Sequence, residues 1–499
     1  MRFSLAPALL QTLVCALFWV SAACGTAQGQ TVATFHGSAD RSGNFVVPGL
    51  TWARARGLRL DPGFAPHFAG HVYAQPLYWQ APGAGTGMLV VATESNTVVA
   101  IDAGSGRVLW TRSLGRAVPL SAQPCGNIDP LGITGTPALD EASRTVYLDA
   151  MVAEAGGAHH RAFALSLDNG SVLPGWPVDV GAALAARGER FVAADQNERG
   201  ALLIQNGRVY VPFGGHFGDC GEYRGWVVGV GLKNPRDVVS WSTRARGGGI
   251  WAPGGTAGDG VSLFVATGNT FGARQWSDGE AVFRLAPNLD RSDRPQDFFA
   301  PMDWRALDAR DLDLGGSNPV LLTLPARSGR QALVLALGKD GRAYLLSAGN
   351  LGGIGGALAM ARVSAGPIRT AAAAYPAADG ADVVFPADGT DCPAGRRRGN
   401  GLTALAIRAE PRPSIATAWC AALEGAGSPM VTTTDGHSQP IVWVLGADGD
   451  NRLHGFRGDT GEPLFTGPPL AGLHHFQTLL PAAGRLYVGA DERLYAFSY

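Results

Sequence analysis

An all-β fold, an eight-bladed β-propeller of four-stranded antiparallel blades, is what this sequence predicts, and three observations predict it. Short runs with the character of buried strands recur along nearly the whole chain. Gly, Asp and Asn turns punctuate them. No long amphipathic helical period separates them, which argues against a βαβ alternation.

The first unit is the clearest. Leu89-Val90-Val91-Ala92-Thr93 is a buried-strand run, followed by Thr97-Val98-Val99-Ala100-Ile101-Asp102 and, after a Gly104–Gly106 turn, by a strand ending in Trp110. The pattern returns at 146–150 with 161–176, at 208–215 with 225–241, at 263–269 with 280–285, within 332–350, at 382–389 with 401–407, within 441–465 and within 485–499. Units spaced by roughly 40–60 residues, each β-rich and turn-bounded, read as propeller blades rather than as a helical solenoid. The last unit stops at Tyr499 without an outer strand, and 51–68 has no blade of its own. A ring that did not close would leave a bare sheet edge. An N-terminal strand from 51–68 is therefore expected to complete the blade of Arg493–Tyr499.

Composition suits this architecture. The chain has 499 residues, 46% hydrophobic and only 16% charged, with 70 glycines. That charge content is low and the glycine share is about twice the usual, as short strands and tight turns require. The formal net charge of -1 gives no electrostatic footprint for nucleic acid. Lys233 and Lys339 are the sole lysines.

Arg2, the apolar run Leu9–Val20 and the small residues up to Ala27 read as an export signal over 1–27, with an N-terminal extension over 28–50 and the propeller over 51–499. The run is too short for a comfortable membrane span, and no later segment is long and apolar enough. A periplasmic or secreted location follows, with lipidation at Cys24 as the rival reading. Four cysteines remain beyond the signal: Cys125, Cys220, Cys392 and Cys420. An even number in an oxidising compartment predicts disulfides. Cys125 lies in a Gly/Pro-rich loop one blade before Cys220, and Cys392 and Cys420 share one unit. The expected pairs are Cys125–Cys220 and Cys392–Cys420. The spacings contain no CxxC or CxxCH.

Ala100-Ile101-Asp102 with Gly104, Gly106 and Trp110 resembles the blade signature of the pyrroloquinoline quinone (PQQ) repeat family, in which the Trp docks between neighbouring blades. That family contains eight-bladed quinoprotein alcohol dehydrogenases and also a non-catalytic propeller lipoprotein that binds proteins. For a dehydrogenase the resemblance implies a quinone stacked on an aromatic floor, a hard cation such as Ca held by oxygen ligands, and a carboxylate base. Gly247-Gly248-Gly249-Ile250-Trp251 resembles the stretch that ends in the floor Trp. Gly268-Asn269 resembles the segment with an Asn metal ligand. Asp311 stands where the family has its catalytic Asp, also facing the metal, with Asp313 as a second metal-binding Asp. Lys339 stands where a basic residue contacts the quinone.

Two departures accompany the match. The family often has adjacent cysteines over the quinone, where this chain has the single Cys125. The family's Glu ligand falls at Cys220, flanked by Asp219 and Glu222, so Asp219 or Glu222 would have to stand in for it, with Glu222 the candidate metal ligand. Each residue also has a plain structural reading. Trp251 is equally a blade-packing Trp, Asn269 and Asp311 are turn formers, and Lys339 lies in a hairpin turn. Adjacent side chains on a strand diverge, so neither His159-His160 nor His474-His475 pairs up to hold a metal. The favoured reading is an exported, non-catalytic quinoprotein-like module that binds a protein or small-molecule ligand on its propeller face. The alternative is a PQQ- and Ca-dependent dehydrogenase of an alcohol or sugar that passes electrons to an external acceptor.

Overall fold

The computed structural model describes residue 1, residues 31–327 and residues 329–499. The expected export signal and Cys24 lie outside the described residues. Eight separate sheets form the ring. In chain order the blades span 77–113, 138–179, 196–242, 257–300, 320–362, 373–422, 430–469 and 479–498. Four sheets have four strands and four have a fifth. Ring closure follows the expectation from sequence. Arg59–Leu60 pairs antiparallel with the last strand, Arg493–Ser498, through Arg59↔Ser498 and Leu60↔Phe497. No helix among the described residues is long and apolar enough to cross a membrane.

The continuous apolar runs have a direct cause. In Gly329–Leu337 of blade 5, Leu333, Leu335 and Leu337 pack toward blade 6. Val334 and Ala336, on the opposite face, pack toward blade 4. A strand sandwiched between two neighbouring blades is buried on both faces, so it loses the apolar–polar alternation of a half-exposed strand. Each such fully buried Leu or Val contributes about 1.5–3 kcal/mol.

Tryptophans dock blade to blade as the repeat signature implies. Trp110 Nε1 of blade 1 donates to Leu167 O of blade 2 (2.9 Å). Trp419 Nε1 of blade 6 donates to Gly458 O of blade 7 (2.6 Å). Gly461 has φ +69°, and a Cβ there would lie 2.5 Å from the Trp419 ring, so only glycine fits beneath it. We expect Trp419→Phe to lower the unfolding free energy by ~1–2 kcal/mol, a lost hydrogen bond plus a small cavity. An unchanged urea midpoint would contradict the docking role.

Residues 32–46 form a strap that visits blades 1 to 7 in order. Val32 bridges to Tyr78 of blade 1. The carbonyls of Ala33, Ala39, Asp40, Ser42 and Gly43 accept from Leu139, Gly258, Leu321, Ala374 and Val431, in blades 2, 4, 5, 6 and 7. Thr34 Oγ1 donates to Leu202 O, beside blade 3. The strap then becomes a fifth strand of blade 7, Asn44–Val46 running parallel to Met430–Thr433. Its only charged side chain that is wholly buried, Arg41, donates to the carbonyls of Thr256, Leu202 and Phe35. What the sequence presents as an extension before residue 51 is, over its described part, woven into the ring. The signal was weak because a chain that bonds once or twice per blade needs no apolar periodicity.

Candidate functional site

A cavity of about 1020 Å³ opens on the ring's axis, lined by residues from several blades. Phe35 of the strap packs beneath it against Ala201 and Ala371. Arg199 and Thr370, one or two residues from those alanines, line the cavity itself. The strap therefore underlies the funnel.

Trp251, Asn269, Asp311, Asp313 and Lys339 all line this cavity. Of the two readings of Trp251, its position is that of a funnel residue rather than a blade-docking one. Its Nε1 donates to Asp313 Oδ2 (3.1 Å). Asp313 Oδ1 accepts from the Asn269 backbone N–H (2.9 Å). Gly268 permits this approach, since a Cβ there would lie 3.0 Å from the Asp313 carboxyl. Lys339 Nζ sits between two carboxylates, 2.7 Å from Asp313 Oδ2 and 2.9 Å from Asp311 Oδ1. It lies 5.2 Å from the centre of the Trp251 ring, within cation–π range.

Burial sets the electrostatics. It raises the Asp313 carboxyl, and Lys339 works against that rise. For Lys339, burial alone favours the neutral amine, but Asp313 and Asp311 outweigh it and hold the ammonium above its ordinary value. Asp311 is the solvent-facing member of the pair, its side chain 62% exposed against 4% for Asp313. Behind them, Glu280 is fully buried and accepts from Leu314 N–H (2.6 Å). Burial and then the charge of Asp313 push its carboxyl well up.

Glu222 is placed elsewhere. It does not line the cavity, its side chain is 66% exposed, and its carboxylate lies 3.9 Å from Arg246. Cys220, at the family's Glu position, is bonded to Cys125, and Cys392 to Cys420. Both expected pairs are thus present. The two places where the sequence departs from the family, the single Cys125 and the Cys220 slot, are covalently tied to each other at the cavity rim. Asp219, the residue before Cys220, lines the cavity and accepts from Tyr223 O–H (2.6 Å).

Sequence reasoning did not single out Arg199 or Phe476, which line the cavity, and gave His475 no place in it. The Arg199 guanidinium lies 4.7 Å from the Phe476 ring centre and 5.9 Å from that of Trp251. It makes no hydrogen bond or salt bridge among the described residues. Burial lowers it to about 10, opposed by Tyr73 and Glu94, so it is a cation at neutral pH. A lone Arg in Asn197-Glu198-Arg199-Gly200 carries no motif, and no signal in the sequence marked it.

The fold and this axial funnel define an eight-bladed β-propeller with a central cavity lined by an indole, carboxylates and cationic side chains. By structure the chain is similar to the quinohemoprotein alcohol dehydrogenase of Comamonas testosteroni, with TM-score 0.65 and 15% identity over 94% of this chain and 80% of that one. It is equally similar to a europium-containing methanol dehydrogenase, with TM-score 0.65 and 12% identity over 94% of this chain and 98% of that one. BamB from Moraxella catarrhalis matches with TM-score 0.50 and 13% identity, over 87% and 100%. No protein-family model matches the chain, and no curated protein matches it by sequence. At these identities the likeness is one of fold.

The residues present fit the two halves of the family's cofactor pair unequally. A hard dication such as Ca takes 6–8 oxygen ligands, several of them carboxylate. Here Asp313 Oδ1 is engaged by Asn269 N–H, and its Oδ2 by Trp251 and Lys339. Asp311 Oδ1 is engaged by Lys339, and the Glu position is a disulfide sulfur. An ammonium already occupies an oxygen of each carboxylate, so this donor set does not suit a dication. A flat indole with the Arg199 guanidinium 5.9 Å from its ring centre does suit a planar anion.

Proposed function

We propose that the chain is an exported, non-catalytic binding propeller whose funnel captures a planar, anionic small molecule without a metal. The observation that carries this reading is Arg199: a guanidinium held on two aromatic rings in the funnel, with the buried Glu94 acting on it only through space and no carboxylate among the described residues within salt-bridge distance. A planar carboxylated ring would stack on Trp251 and place its carboxylates on Arg199, whose fork geometry suits bidentate pairing. Lys339 is committed to Asp311 and Asp313, so Arg199 would carry the charge recognition. Export is supported by the N-terminal signal pattern and by the two disulfides.

A second reading, a PQQ-dependent dehydrogenase, is favoured by one observation. Trp251, Asn269, Asp311, Asp313 and Lys339 converge on one cavity from blades 4 and 5 and the connectors that precede them. In that reading Asp311, the exposed carboxylate, would take the proton from the substrate hydroxyl, while the quinone would supply the two-electron acceptor. The donor set around Asp313 places this reading second.

One titration separates them. Calcium-free protein is titrated with PQQ and with a panel of planar aromatic carboxylates, following tryptophan fluorescence. We expect saturable binding that added calcium leaves unchanged, and at least a tenfold loss (about 1.4 kcal/mol) in Arg199→Ala. Absence of binding across the panel overturns the funnel as an anion site. Calcium-dependent, dye-linked alcohol oxidation that Asp311→Ala abolishes would establish the dehydrogenase instead.

A further inference from the structure

The four histidines of the two adjacent pairs diverge, each to its own aspartate. His159 meets Asp179, His160 meets Asp149, His474 meets Asp491 and His475 meets Asp448. One of these contacts is not a simple pair. Asp491 Oδ1 lies 2.6 Å from His474 Nε2 and also 3.0 Å from His71 Nδ1. His71 precedes blade 1, while His474 and Asp491 belong to blade 8 and its approach, so the three side chains meet across the seam where the ring closes. His71 Nδ1 is itself buried, and although Asp491 is near, it makes no hydrogen bond of proper geometry.

From this juxtaposition we propose that His71, His474 and Asp491 form a binding site for a borderline divalent transition ion of the zinc class, which staples blade 8 to blade 1. Two imidazole nitrogens and one carboxylate oxygen are a donor set such ions take, with a fourth position left for water. The ligand atoms all lie within 4.8 Å of one another. Around a tetrahedral ion at bond lengths of about 2.0–2.1 Å they would stand ~3.3 Å apart, so the two contacts to Asp491, now 2.6 and 3.0 Å, would open by less than an ångström each and the two imidazole nitrogens would adjust by side-chain rotation. The side chains are 43%, 22% and 27% exposed, which leaves a path for the ion and its water.

The support behind the ligands is already in place. Asp491 N–H donates to Gly472 O (3.0 Å), and Glu492 N–H to Gly70 O (3.1 Å). His71 O accepts from Glu94 N–H (3.0 Å). His474 N–H donates to Gln477 Oε1 (2.9 Å), and the same Gln477 side chain donates across the seam to Val72 O. Tyr73 stacks on the His474 ring at 4.4 Å. Backbone and side chain thus fix all three ligands before any ion arrives, which limits the ordering cost of binding. Any proton on a coordinating imidazole nitrogen must leave for the ion to bind, so binding weakens in acid.

The test uses the full mature chain freed of metal by a chelator. Co²⁺ titration is expected to give one equivalent of saturable binding with the visible band of a four-coordinate ion, and Zn²⁺ is expected to displace it. Zn²⁺ should raise the melting temperature of the wild type. His71→Ala and His474→Ala should each weaken Co²⁺ binding at least 100-fold and remove that rise; Asp491→Asn, which keeps the size of the side chain, should weaken it at least tenfold. Because an alanine variant could fail to fold, X-ray absorption of the Zn²⁺-loaded wild type supplies an independent reading. Two imidazoles and an oxygen around the ion support the site. A shell of oxygens alone, or no saturable binding, overturns it.

Discussion

Replacing Arg41 by alanine is expected to lower the unfolding free energy by about 3–5 kcal/mol, the range for removing a buried charge that satisfies several acceptors. The side chain is fully buried and bonds to three separate segments. Nε and Nη2 donate to Thr256 O (3.0 and 2.7 Å), Nη2 to Leu202 O (2.9 Å), and Nη1 to Phe35 O (3.1 Å) and Thr34 Oγ1 (2.7 Å). Burial lowers its pKa to about 9, which Asp40 opposes, so it stays charged at neutral pH. Alanine would strand carbonyls of blade 3, of the approach to blade 4 and of the strap together. Lysine should recover less than half of the loss, because a single ammonium cannot reach a set of acceptors laid out for a planar fork. Denaturant unfolding followed by tryptophan fluorescence measures both. If Arg41→Ala unfolds within 1 kcal/mol of wild type, the strap is an accessory and not part of the ring.

Glu94→Gln is expected to act in the opposite direction, raising stability by up to ~3 kcal/mol above pH 8. Glu94 is fully buried. Its Oε2 accepts from Gly132 N–H (2.7 Å), while Oε1 has no partner. Burial, the largest influence, raises its pKa from 4.5 to about 7. Between those two values the folded state holds a proton that the unfolded state has released. Stability contributed by that proton is therefore full at pH 4.5, declines as pH rises, and is gone above about pH 7. Glutamine does not titrate, keeps an oxygen for Gly132 N–H, and gives Thr134 Oγ1, which lacks a partner, an amide donor. The two proteins should be nearly equal at pH 4.5 and diverge through neutrality. Parallel stability profiles across pH 4.5–8 would show that the carboxyl ionises elsewhere than inferred.

How far the sequence reached depended on how local each feature was. Blade runs such as Leu89–Thr93 are legible because a strand buried on both faces must be apolar throughout. The docking role of Trp110 is legible because its turn glycines sit at fixed offsets. Closure by 51–68 followed from counting strands and finding one missing; only its location at Arg59–Leu60 needed the structure. Trp251, Asn269, Asp311, Asp313 and Lys339 could be singled out by resemblance, and the structure gathers them in one cavity. Glu222 lay two residues from its slot, and there the turn carries it outward to Arg246.

The sequence by itself determined the propeller, its blade count, its disulfide pairs and the order in which funnel residues are delivered, because each of these is written in short-range pattern repeated along the chain. Only the tertiary structure decided which charges meet. Lys339 sits between Asp311 and Asp313, Arg199 stands unpaired over Phe476 and Trp251, and His71 joins His474 and Asp491 across 403 residues of chain. A closed ring brings the ends of distant blades to one axis and its first and last blades to one seam. Contacts made there depend on the closure of the whole circle and leave no periodicity in any single segment.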